Sequence, residues 1–231
     1  IDTGMHRLGF APSDVPEICS RLKRQTGVTA RSIFSHLVGS DSSIFDDFTH
    51  RQLQTFQEAA ATLERELEKR VIKHILNTAG IERFASYQMD MVRLGIGLYG
   101  VSASGLKGLE HVSTLKTTIL QIQLVPAADS IGYSRRTYVE RDSRIAIIPI
   151  GYADGLDRHL SNGVGEVVIR GHRCPIVGNI CMDVAMIDVT GIGCKEGDTV
   201  EIFGDKLPVT VLSDTLGTIP YEILTGISSR V

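Results

Sequence analysis

Apolar positions run along this chain in two different rhythms. Up to about residue 100, short apolar runs alternate with longer amphipathic ones. "IDTG" predicts the end of a strand and "SDVPEICSRLKRQTG" a helix, with Ser13 or Asp14 placed to cap it and Gly27 just past its end. "ARSIFSHLVG" predicts the next strand. In "DDFTHRQLQTFQEAAATLERELEKR", Phe48, Leu53, Phe56, Ala60, Leu63 and Leu67 recur at helical spacing and form one stripe. "IKHILNTAG" predicts a strand, "GIERFASY" a helical turn and "MVRLGIGLYG" a last strand. Strands alternating with helices imply a parallel sheet. Four such strands make half of an eight-stranded barrel.

Beyond Gly100 the rhythm shortens. "SGLKGLEHV" reads as a loop. The runs "LKTTILQIQLV", "SRIAIIPIGYA", "EVVIRGHRCPIVG", "CMDVAMIDVT", "DTVEIFG" and "LPVTVL" read as strands, separated by turns such as "RGHR", "KEGD" and "FGDK". This predicts an antiparallel, partly barrel-like β domain. The end of the chain predicts a helix around "IPYEILTGI" and then a final strand. The expected architecture is therefore α/β followed by β, with domains over 1–100 and 101–231.

Composition narrows the function. With 231 residues, a net charge of −3 and 42% apolar content, the chain suits an ordinary globular protein. Mild acidity with no dense Lys/Arg cluster argues against nucleic acid as a partner. No stretch has the length and apolarity of a membrane span, and no signal-peptide pattern is visible. Cys19, Cys174, Cys181 and Cys194 show neither a Cys-x-x-Cys pair nor zinc spacing, so the expectation is reduced thiols in a cytoplasmic protein without a metal.

Several stretches are hard to explain by packing alone. "IGYSRRTY" gathers two Tyr and two Arg at the start of a β run. "IPIGYADG" places a Tyr in a glycine-flanked turn. "VGNICMDVAMIDV" sets Cys, Met and Asp together between apolar flanks. "VRLGIGLYG" has an Arg followed by glycines at alternate positions, where backbone N–H groups can face an anion.

Taken in order, "DTGMHRLGF", "MVRLGIGLYG", "IGYSRRTY", "IPIGYADG", "PIVGNICMD" and "TIPYE" resemble the bacterial alanine racemases over essentially the whole chain. "FSHLVGSDSSIFDDFTHRQ" resembles the Bacteroidetes branch, where the racemase can follow a peptidoglycan-precursor ligase. The resemblance implies a pyridoxal-phosphate enzyme with a TIM-type (β/α)8 barrel and a C-terminal β domain. It also implies interconversion of L- and D-alanine for peptidoglycan, in a homodimer with shared sites. In that family the barrel begins upstream of the first motif, and the lysine that anchors the cofactor lies in the earlier half. The expectation is a chain holding half the barrel and all of the β domain, inactive alone. Ile1 and the crowded "DTGMHR" fit an interior segment better than a terminus.

The resemblance assigns roles residue by residue. Tyr133 matches the base acting on the L-amino acid. Racemisation takes a proton from one face of a carbon and returns it to the other, so two groups must flank it. Alone, Tyr133 would read as a half-buried strand residue. His36 matches a histidine that orients Tyr133 and Arg93, although a lone strand histidine is usually a satisfied core residue. Arg93 matches the arginine facing the pyridine nitrogen; permanently charged, it cannot give that nitrogen a proton. Gly95, Ile96, Thr78 and Tyr221 match the cofactor-phosphate site. Arg7 and Met182 match contacts to the substrate carboxylate. Tyr152, Cys181 and Asp183 match the corridor leading to the site. Tyr133 and Met182 would come from one subunit, the cofactor and His36 from the other. Two further readings stay open: a serine or broad-specificity racemase, and a non-catalytic dimerisation module of a fused protein.

Overall fold

In a computed structural model describing residues 1–231, the chain divides into two units, Ile1–Glu110 and His111–Val231. The first unit is organised by helices α1 (Val15–Lys23) and α2 (Asp46–Leu67), with strand β1 (Ser32–Phe34) between them. Strand β2 (Ile72–His74) follows and pairs with β1 in parallel, Ser32 with Ile72 and Phe34 with His74. The α2 stripe explains the packing. Leu53, Phe56, Ala60 and Leu63 are buried and meet Val15, Cys19, Ile33, Ile75 and Leu76. Phe56 and Leu53 are wholly buried, worth about 1.5–3 kcal/mol each. Helix α3 (Thr78–Arg83) starts at Asn77, whose side-chain oxygen accepts the Gly80 N–H.

Residues 101–110 stay with this unit. The Glu82 carboxylate accepts bonds from the Ser102 hydroxyl, the Ala103 and Ser104 amides, and the Ser104 hydroxyl, at 2.5–3.2 Å. The division therefore falls at Glu110/His111.

The second unit is built on β3 (Leu115–Thr118), β4 (Gln121–Val125), β5 (Ser130–Ile131), β6 (Thr137–Tyr138), β7 (Ser143–Ile148), β8 (Glu166–Ile169), β9 (His172–Val177), β10 (Ala185–Asp188) and β11 (Thr199–Phe203). Seven of these form one antiparallel sheet in the order β3-β11-β8-β9-β10-β7-β4; β5 and β6 form a separate hairpin. The two outer strands are consecutive in the chain. Ile119 N–H donates to Asp198 on one side and Leu120 N–H to Ile147 on the other. One continuous run thus switches partners between two residues, and the sheet curls on itself, which removes open edges. Val167, Ile169, Ile176, Ile187 and Val200 are fully buried inside it. Helices α4 (Val209–Leu216) and α5 (Pro220–Gly226) follow.

Four elements differ from the sequence expectation. Residues 1–11 form no strand, because the Asp2 carboxylate draws the Gly4, Met5 and His6 amides into a turn. "MVRLG" joins no ladder. Its neighbour Lys73 gives its N–H to the Asp90 side chain, leaving only isolated bonds from Asp90 N to Lys73 O and from Arg93 N to Leu76 O. "PVTVL" is helix rather than strand. Pro208 opens it, Gly217 closes it in a left-handed conformation, and Val209, Leu212 and Ser213 bury one face at helical spacing. The expected terminal strand is absent: Ser228 N–H bonds the Asp154 carbonyl instead of a ladder partner. Asp14 stands at the α1 N-cap position but makes no cap bond; its carboxylate takes the Ala11 amide.

Candidate active site

The "DTGMHR" turn is a backbone device. Three amides converge on one oxygen of Asp2 at 2.9–3.0 Å, and those bonds hold its carboxyl below the usual carboxylate range. The turn leads Arg7 into a cleft of about 630 Å³, whose walls include Phe34, Ser35, His36 and Arg93 as well as Val15, Ile18 and Leu22. No lysine lines it.

Arg93 dominates the polar end. One guanidinium nitrogen lies 2.5 Å from His74 Nδ1 and 3.2 Å from the His74 carbonyl. The other donates to the Ser35 carbonyl at 2.5 Å, reaches the Ile75 carbonyl at 3.4 Å and stands 3.3 Å from His36 Nδ1. The Phe34 ring lies beneath it, 5.3 Å away, and stacks on His74. Burial, then the Arg93 charge, pushes the pKa of both imidazoles below 6.5; Arg7 adds to the effect at His36. Both rings are therefore neutral at neutral pH, with Nδ1 lone pairs turned to the guanidinium. Burial lowers the Arg93 pKa too, yet an arginine stays charged. The result is a fixed cation whose partners cannot neutralise it.

Two residues on, the chain makes a second polar cluster. The Gly95 and Gly97 amides donate to Thr78 Oγ1 at 3.0 and 3.3 Å. With both lone pairs engaged, the Thr78 hydroxyl has only its proton left to offer. With the Gly95 and Gly97 amides given to Thr78, the donor this turn can offer a phosphate is the buried Thr78 O–H, so Thr78 fits the cofactor-phosphate site in composition and position.

In the second unit, Gly151 lies so close to the 181–182 turn that a Cβ there would sit 2.3 Å from the Cys181 and Met182 carbonyl oxygens. Those carbonyls accept the Tyr152 and Ala153 amides at 3.1 and 3.0 Å. Tyr152, Cys181, Met182 and Asp183 are thus held in one place. Arg230 adds a 2.6 Å bond to Asp183 and an ion pair with the buried Asp154. Tyr133 lies on a tight, partly left-handed turn between β5 and β6, its carbonyl bonded to Asn179 and 69% of its surface exposed. Tyr221 lies on α5 and is also exposed.

Sequence reasoning missed His74 and Asn77. His74 is paired in register with Phe34 at the strand ends. A polar residue closing a predicted strand, level with the end of its parallel neighbour, was the available signal. No group of three His, Cys, Asp or Glu side chains is placed to hold a metal ion, and no helix is long and apolar enough to cross a membrane.

A β/α unit ending in a shielded arginine is followed by an antiparallel unit with clamped polar turns, and comparison with known proteins puts a chain of this kind in the class of fold-type III pyridoxal-phosphate enzymes. Residues 1–103 match "Alanine racemase, N-terminal domain", and residues 112–231 match "Alanine racemase, C-terminal domain". The chain belongs to the alanine racemase family. It is 40% identical to alanine racemase 2 of Caldanaerobacter subterraneus subsp. tengcongensis, with all of this chain and 62% of that protein covered. It is 36% identical to the alanine racemase of Methanococcus maripaludis, of which it covers 64%. Among solved structures, the Bartonella henselae alanine racemase with covalently bound pyridoxal phosphate matches all of this chain at 33% identity and a TM-score of 0.87, with 63% of that structure covered. The Bacillus anthracis enzyme with bound L-Ala-P matches at 31% and 0.91, with 62% covered. The chain spans less than two thirds of the length of these relatives.

Proposed function

We propose that this chain is the C-terminal part of a cytoplasmic, homodimeric alanine racemase that supplies D-alanine for peptidoglycan. The observation that carries the reading is the Arg93 cluster, a guanidinium held by two neutral histidines and three carbonyls at the end of a cleft shared with Arg7. Bound pyridoxal phosphate would supply the electron sink that acidifies the α-hydrogen of the amino acid. Thr78 would hold its phosphate through its hydroxyl, with Gly95, Ile96 and Tyr221 beside it as the family resemblance implies. Arg93 would hold the pyridine nitrogen and, having no proton to release, would keep the sink weak enough to favour proton exchange over transamination. Arg7 and the Met182 amide hold the substrate carboxylate; the guanidinium fork suits that group. Tyr133 removes the proton from L-alanine and returns it to the carbon in the reverse direction. His36 orients it from the other subunit, and the exposure of Tyr133 suits a residue that completes a neighbour's site. Tyr152, Cys181 and Asp183 line the approach.

The cleft offers no lysine, so on this reading the anchoring lysine lies outside these residues and the chain alone is inactive. The half-barrel belongs to a complete TIM-type barrel.

The test is Tyr133→Phe in the complete enzyme. Loss of one general base costs about 10²–10⁴ in rate. The primary isotope effect with α-deuterated L-alanine should rise while that with D-alanine does not. Normal turnover with unchanged isotope effects would refute the assignment. Comparing alanine, serine and lysine as substrates separates an alanine enzyme from a broader racemase.

A further inference from the structure

The turn that carries Tyr133 is strained. Gly132 has φ 72° and ψ −168°, and two successive non-glycine residues, Ser134 (φ 64°) and Arg135 (φ 48°), are left-handed. Such conformations persist only when their surroundings hold them. Here the holding group is visible. Asn179, 5% exposed, donates from Nδ2 to the Tyr133 carbonyl at 3.0 Å. Its Oδ1 accepts from Asn162 Nδ2 at 3.1 Å, and Asn162 Oδ1 accepts the Thr137 hydroxyl at 2.9 Å. Thr137 pairs with Ile131 on the hairpin that contains Tyr133. The chain of bonds therefore leaves the hairpin at Tyr133 and returns to it at Thr137.

Direction is fixed at one end. The Tyr133 carbonyl can only accept, so Asn179 must offer its amide and Asn162 must do the same in turn. Asn162 is itself left-handed (φ 59°), held by its N–H on the Gly178 carbonyl at 2.9 Å. The two turns approach closely because they meet at glycines. A Cβ on Gly178 would sit 3.1 Å from the Ile131 carbonyl oxygen, and one on Gly132 would sit 3.0 Å from the Met186 methyl.

We propose that Asn179, braced by Asn162 and Thr137, is a positioning residue that aims Tyr133 at the substrate. The inference rests on the catalytic reading of Tyr133 given above. Asn179 touches no reacting atom; it sets the backbone from which the phenol projects. An asparagine is required because one side chain must donate to a carbonyl and accept an amide at the same time. Aspartate keeps the shape and loses the donor.

The experiment compares Asn179→Asp, Thr137→Val and Thr137→Ser in the complete enzyme, with Tyr133→Phe alongside. A misaimed base costs up to about 10²-fold. Asn179→Asp is expected to lower kcat about 10- to 100-fold. It should also raise the primary isotope effect for L-alanine but not for D-alanine, and speed amide exchange in residues 131–138. Thr137→Val acts at the half-buried end of the network and should shift the isotope effect the same way, with Thr137→Ser restoring it. Faster amide exchange with unchanged isotope effects, or no difference between Val and Ser at 137, would overturn the inference while leaving the role of Tyr133 intact. If Asn179→Asp does not fold, the 137 pair decides. If Tyr133→Phe racemises normally, the underlying reading fails, and the positioning role fails with it.

Discussion

Replacing Arg93 with lysine tests whether the polar end of the cleft is built around a fork of donors. The guanidinium serves five acceptors: two imidazole nitrogens and the carbonyls of Ser35, His74 and Ile75. An ammonium has three N–H groups and no planar fork, so at least two of these acceptors lose their partner. Orphaning a buried acceptor costs about 1–3 kcal/mol. Because Arg93 is only partly buried and water reaches one side, the lower part of that range applies, giving about 2–4 kcal/mol for the two. The cost falls on the ends of β1 and β2, which Arg93 ties together. Hydrogen exchange reads it directly, since about 2–4 kcal/mol is a roughly 30- to 1,000-fold rise in local opening. Peptides covering 32–37 and 72–77 should exchange faster, while peptides from α4 should not change. Unaltered protection around Ser35 and His74 would refute the account. Arg93→Met separates charge from geometry. Without the cation both imidazole pKa values should rise, yet remain below 6.5 because burial is the larger cause.

Three further outcomes follow from the same geometry. Thr78→Val removes the one buried hydroxyl at the Gly95–Gly97 turn; it should weaken pyridoxal phosphate but not pyridoxal in the complete enzyme, and Thr78→Ser should behave as wild type, all by absorbance titration. Both histidines titrate lower in the folded chain than the ordinary 6.5. As the pH drops through 6.5, the unfolded chain therefore binds protons first, and stability declines until the folded values are reached. Denaturant midpoints that rise on acidification over that window would contradict the neutral assignment. Burial pushes the Cys174 thiol up to about 11, so iodoacetamide should alkylate the native protein at Cys181 and spare Cys174; modification of Cys174 in the folded state would disprove its burial.

How much of this was legible in the chain depends on the kind of signal. The α2 stripe was visible because one helix face must be apolar, and Leu53, Phe56, Ala60 and Leu63 are buried as the period requires. The β runs "SRIAII" and "EVVI" were visible as short apolar runs bounded by turn residues, and they are buried nearly without a break. "PVTVL" misled because β-branched residues favour strands only weakly, and Pro208 and Gly217 at its ends, with a buried face between them, override that preference. "MVRLG" misled because a strand needs a partner's N–H, and the Asp90 side chain takes the Lys73 amide. His74 carried only the faint signal of a polar residue closing a strand, since nothing local ties it to an arginine nineteen positions away.

By itself the sequence determined the β/α-then-β order, the face that α2 buries and the residue types available for chemistry. These depend on periodicity and on residue identity, both of which lie within a few residues. The tertiary structure alone decided that Arg93 stands between His36 and His74, that Thr78 meets the Gly95 amide, and that Asn179 reaches the Tyr133 carbonyl across 46 positions. Those contacts arise where separate elements end side by side. Local propensity does not encode such adjacency; it follows from which faces bury against each other when the whole chain folds.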